Sequence, residues 1–71
     1  MMYNGFKAIA ESCVTLQQLK NALDEIGMRS IIVNGKTELW AGREVRYGHM
    51  TRWEQWTATI KDGKITTWCC P

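Results

Sequence analysis

The sequence predicts a single α+β domain spanning residues 1–71, with one capped helix packed on a four- to five-stranded antiparallel sheet of hairpins. Three observations carry that expectation. Residues 14–28 read as one helix with its start and stop written in. Asn34-Gly35 and Asp62-Gly63 are dipeptides suited to tight hairpins. Everything after Met28 is rich in Thr, Trp and β-branched residues, as strands are.

The helix over residues 16–26, about 16 Å long at the usual rise, is the best-specified element. Thr15 stands where its hydroxyl can accept from an orphan backbone N–H, and Gln18, three residues on, completes a capping box. Val14 and Leu19 occupy the positions of a hydrophobic staple. Gly27 and Met28 follow where a left-handed residue and a closing apolar contact end a helix. Leu16, Leu19, Leu23 and Ile26 form its apolar stripe. Asp24 and Glu25 sit in the last turn, where the helix dipole disfavours carboxylates. Such a mismatch is usually a tolerated surface cost, and otherwise it marks an interaction surface.

Residues 1–13 admit two readings. Phe6, Ile9, Ala10 and Cys13 have helical spacing, while Phe6, Ala8 and Ala10 alternate with Lys7 and Glu11 as in a strand. Residues 11–13 make a short link for two helices but an adequate strand-to-helix turn, so the strand is preferred.

After the helix, residues 29–33 and 36–41 form a hairpin about a two-residue Asn34-Gly35 turn, pairing Val33 with Lys36 and Ser30 with Leu39. Ile32 and Leu39 then face the helix, with Ile31, Val33, Glu38 and Trp40 opposite. Gly42 reads as a bulge or bend, residues 43–47 as a half-buried strand, and Gly48-His49-Met50 as a turn. Residues 51–60 form the longest strand, joined through Asp62-Gly63 to a last strand with Ile60 opposite Ile65. One face of that hairpin carries Trp56, Ala58, Ile60, Ile65, Thr67 and Cys69. The other carries Trp53, Gln55, Thr57, Thr59, Thr66, Trp68 and Cys70. Core candidates are Phe6, Leu16, Leu19, Leu23, Ile26, Ile32, Leu39, Val45, Trp56, Ala58 and Ile60.

Charge narrows the function classes. The net charge is +2, divided as −1 over residues 1–28 and +3 over residues 29–71. A modestly basic sheet is compatible with nucleic acid but lacks the strongly basic footprint typical of it. No run is apolar enough to suggest a membrane span or a secretory signal, and a cytoplasmic protein is expected. Three Cys are too few for a disulfide scaffold. With His49 they supply four conceivable metal ligands, but Cys69 and Cys70 point to opposite faces of a strand and no Cys-x-x-Cys occurs. No metal and no cofactor is therefore expected.

The sharpest lead is the polar face of the last hairpin. Trp53 and Trp68 project from it, with Arg46 and Arg52 expected at its rim, and indole and guanidinium are the groups most enriched at binding hot spots. The plainer alternative is that the indoles close a small second core. The leading expectation is a non-catalytic module that binds, and modulates or inhibits, a partner protein; compact inhibitors encoded by mobile elements share its size, though not its sequence. Single-stranded RNA or DNA is the alternative partner, with Arg43, Arg46, Arg52, Lys61 and Lys64 on phosphates. A third reading is a small RNA-cleaving toxin using His49 and Glu54, but these have no motif spacing. A homodimer through an open sheet edge or the Trp face is a further possibility.

Overall fold

The computed structural model describes residues 3–69. The order of elements is α1 (Tyr3–Glu11), α2 (Leu16–Glu25), β1 (Arg29–Val33), β2 (Glu38–Tyr47), β3 (Met50–Lys61) and β4 (Lys64–Cys69). The strands form one antiparallel sheet in sequence order. Both helices pack on the same face, where Phe6, Ala10, Leu16, Leu19 and Leu23 meet Leu39, Ala41, Trp56 and Ala58 in the core.

The N-terminal segment is a helix, which corrects the preferred strand reading and leaves a four-stranded sheet with two helices. A strand would turn Ile9 away from the side that Phe6 and Ala10 occupy. A helix instead gathers Phe6, Ile9, Ala10 and Cys13 against the core. The four residues Ser12–Thr15 suffice to join the helices, and the turn is closed by Ser12 and Cys13 N–H bonds to Ile9 and Ala10 carbonyls, each 3.1 Å. Tyr3, Phe6 and Trp56 form an aromatic cluster with the Phe6 and Trp56 centroids 5.5 Å apart.

Helix α2 starts at a reciprocal cap. The Thr15 hydroxyl accepts from Gln18 N–H at 3.1 Å, and Gln18 Oε1 accepts from the Thr15 and Val14 amides at 3.3 and 2.8 Å. It ends in a Schellman arrangement, with Gly27 at φ +77°, Gly27 N–H donating to Asp24 O, and Met28 N–H donating to Leu23 O. Two apolar residues at its ends depart from expectation. Val14 is 65% exposed and adds little as a staple, and Ile26 caps the helix on the solvent side, 53% exposed, so it leaves the core set. Val45, also expected in the core, is half-buried beyond it.

The first hairpin is wider than the two-residue expectation. Asn34–Thr37 form a four-residue turn, and Val33 pairs with Glu38, Ile32 with Leu39 and Ser30 with Ala41. The slip is two residues, so every side chain keeps its face. The wider turn puts Ile32 directly opposite Leu39 on the core side. The other hairpins have two-residue loops, Gly48-His49 and Asp62-Gly63. Strand β2 runs unbroken through Gly42, which is neither bulge nor bend.

The phase of the ladder identifies the free backbone groups. Ile60 N–H donates to Thr37 O at 3.0 Å, so Thr37, Leu39 and Ala41 bond toward β3. By alternation Glu38, Trp40 and Gly42 bond toward β1, to Val33, Ile31 and Arg29. Ser30 and Ile32 are left with their backbone groups on the outer edge of β1. On the opposite edge, α1 lies beside β4 and the Tyr3 hydroxyl donates to Thr67 O at 3.0 Å.

Candidate functional site

The face of the sheet opposite the helices is covered by none of the described residues. Its central row crosses all four strands as Ile31, Trp40, Thr57 and Trp68. Ile31 is 56% exposed, Trp40 41% and Trp68 46%, while Thr57 between the two indoles is only 7% exposed. Thr57 thus lies buried between two half-exposed indoles, in a row about 10 Å wide from β2 to β4.

Trp40 is held in place. Its indole Nε1 donates to Glu38 Oε1 at 2.7 Å, and Asn34 Nδ2 donates to Glu38 Oε2 at 2.6 Å. The Trp40 bond first, then that from Asn34, holds the Glu38 carboxyl below the usual carboxylate range. Donors on both oxygens favour the charged form, and the charged form in turn fixes the ring.

Trp53 is fixed by shape. A methyl at Gly42 would fall within 3.0 Å of the indole atoms Cζ2, Cε2 and Nε1, so the ring lies directly over the glycine. Only a residue without Cβ admits that approach, which explains an unbroken strand with glycine at its centre. Trp40, Gly42 and Trp53 with Arg29 and Gln55 line a notch of about 230 Å³. Trp53 is 49% exposed and forms one wall of it.

Of the residues the sequence singled out, Trp53 and Trp68 do share this face, but they stand about 14 Å apart by strand geometry. Arg46, exposed, lies on the same face one step beyond the Glu44–Trp53 pair. Arg52 does not join them. It faces the helix side, with its guanidinium 5.6 Å from the Tyr47 ring centre and 3.5 Å from Glu54. Glu54 also pairs with Arg43 at 3.4 Å, and Arg43 in turn lies 5.6 Å over Trp56. Trp40 is the member the sequence reading left out. Its face was legible from the first hairpin, but linking it to Trp53 and Trp68 needed the β2–β3 register.

The residues of the hydrolytic reading are not assembled. His49 is exposed in the loop between β2 and β3, and Glu54 lies four residues down β3 from Met50, on the order of 13 Å along the strand, engaged by two arginines. Cys13 is half-buried with a free thiol. Cys70 and the Cys69 side chain lie outside the described residues. Among the described residues no three His, Cys, Asp or Glu side chains group as metal ligands, and no helix is long and apolar enough to cross a membrane. Comparison with protein-family models, curated proteins and solved structures finds no match.

Proposed function

We propose that this chain is a small non-catalytic protein-binding module that modulates or inhibits its partner, and that it binds through Trp40, Trp53 and Trp68 with Arg46 at the edge. The observation that carries this reading is three half-exposed indoles on a sheet face over which none of the described residues packs. A soluble domain that kept these rings only for stability would bury them, as it buries Trp56. Two of the rings are fixed before any partner arrives, Trp40 through Glu38 and Trp53 over Gly42. Prior ordering lowers the entropy lost on binding, and large rigid rings are the usual anchors of protein interfaces.

The same rings would stack on bases, and Arg29, Arg46, Lys61 and Lys64 share their face with Glu38 and Glu44. Four basic residues against two acidic ones make a weaker basic footprint than nucleic-acid faces carry, and Arg43 and Arg52 are engaged with Glu54 on the helix side, so protein stays the first reading.

The test has two arms. Immobilised wild type and its Trp40→Ala, Trp53→Ala and Trp68→Ala variants are compared for a stoichiometric partner, with folding checked by circular dichroism. Loss of the partner from the folded variants supports the face, and equal retention by all three refutes it. The second arm is Trp emission during titration with single-stranded oligonucleotides at roughly 50 and 200 mM salt. Quenching that weakens steeply with salt would replace the protein-binding reading with nucleic-acid binding.

A further inference from the structure

We infer that the free edge of β1 is a self-complementary interface, through which two copies of this chain join their sheets in an antiparallel, two-fold pairing centred on Ile31. This inference does not rest on the indole face having a partner.

The two edges of the sheet differ. The β4 edge is guarded by α1, with the Tyr3 hydroxyl bonded to Thr67 O. Among the described residues, strand β1 carries no such guard. It has no proline and no bulge, and Ser30 and Ile32 present their backbone groups outward. Beside this edge, on the helix side, a groove of about 640 Å³ runs along α2, lined by Leu16, Gln17, Lys20, Ser30, Ile32 and Lys36.

A second β1 fits this edge in one register that uses its full length. Centring the axis on Ile31 pairs Ser30 with Ile32 of the second copy and makes four backbone hydrogen bonds from the groups that are otherwise free. Ile31, whose own backbone bonds go to β2, then meets Ile31 of the second copy at the closely spaced kind of pair. Its side chain, 56% exposed in one copy, is covered. On the helix side, small Ser30 faces large Ile32 across the join, and the groove under α2 receives both.

Charge agrees with the same register. The pairing carries the turn Asn34–Thr37 alongside the C-terminal end of α2 of the second copy. Lys36, exposed at that turn, then meets the end that carries Glu25 and the exposed Ile26. The two carboxylates misplaced against the dipole of α2 thus find a use: Asp24 is held by Lys20 at 3.1 Å, and Glu25 remains for the turn of the second copy. The indole rows of the two copies would run on through the paired Ile31 residues as one surface.

Sedimentation velocity over a range up to roughly 100 µM, together with amide hydrogen exchange, tests this inference. The expected result is a species of twice the 8.2 kDa chain mass. The Ser30 and Ile32 amides should gain protection as concentration rises. Ile31→Lys sets two ammonium groups face to face without touching the core, and should weaken association about tenfold or more. Lys36→Glu should weaken it as well, and adding Glu25→Lys should restore it. An 8.2 kDa monomer at every concentration overturns the inference. So does a dimer indifferent to Ile31→Lys, or one lost with Trp68→Ala instead, which would place the contact on the indole face.

Discussion

Replacing Gly42 by alanine probes the close approach that sets the indole face. The added methyl would overlap the Trp53 ring, so the ring must tilt off the strand. Trp53 is 49% exposed, which leaves about half of its side chain buried, on the order of 120 Å². At about 25 cal/mol per Å² that burial is worth at most ~3 kcal/mol, and a tilted ring keeps part of it. A loss of ~1–2 kcal/mol is expected. Alanine in a strand gains ~0.5–1 kcal/mol over glycine, so the net effect is a destabilisation of ~0–1.5 kcal/mol. The sign should invert once the ring is gone. In a Trp53→Ala background, Gly42→Ala meets no obstacle and should stabilise by ~0.5–1 kcal/mol. Urea unfolding of the four proteins in this double-mutant cycle measures the coupling, and Trp emission reports the ring's exposure. A Gly42→Ala protein clearly more stable than wild type, or an equal effect in both backgrounds, would refute the stacking argument.

Three further outcomes follow from the packing and electrostatics. Thr15→Ala removes the acceptor of the α2 cap and should cost ~1 kcal/mol in thermal or urea unfolding. Gln18→Ala takes the acceptor from the Val14 and Thr15 amides but should cost less, because both are exposed to water and alanine favours the helix. Phe6→Ala empties a fully buried site against Trp56 and should cost ~3–5 kcal/mol, close to the whole stability of a domain this small. Glu38 titrates below the usual carboxylate range when folded. Its contribution is therefore present above the unfolded value and is lost as pH falls through the folded one. Side-chain carbon shifts should show this midpoint below the ordinary glutamate value, and Asn34→Ala should move it up.

The sequence alone determined the elements whose signals are local. The capping box at Thr15 and Gln18, the glycine stop at Gly27 and the Asp62-Gly63 hairpin each rest on backbone chemistry within four residues. Alternation along the strands placed Trp53 and Trp68 on one face and Trp56 and Ala58 on the other, because that period survives any even slip of register. That argument also separates Arg52 from Trp53, adjacent residues on one strand, so the rim assigned to Arg52 overlooked a legible signal.

Packing between distant elements decided the rest. Whether residues 3–11 are helix or strand depends on which periodicity meets a surface, and the sheet offered Phe6 and Ala10 a place beside Trp56. The four-residue turn at Asn34–Thr37 follows from the gain in setting Ile32 opposite Leu39, which outweighs the local preference of Asn-Gly for a shorter loop. The role of Gly42 was hidden for the same reason. A glycine within a strand pattern signals a close approach or a kink, and only the register of β2 on β3 brings Trp53 over it and joins Trp40 to Trp68 across Thr57. Backbone propensities act over a few residues, whereas which rings share a surface depends on strand pairing, which forms only when the whole chain is in place.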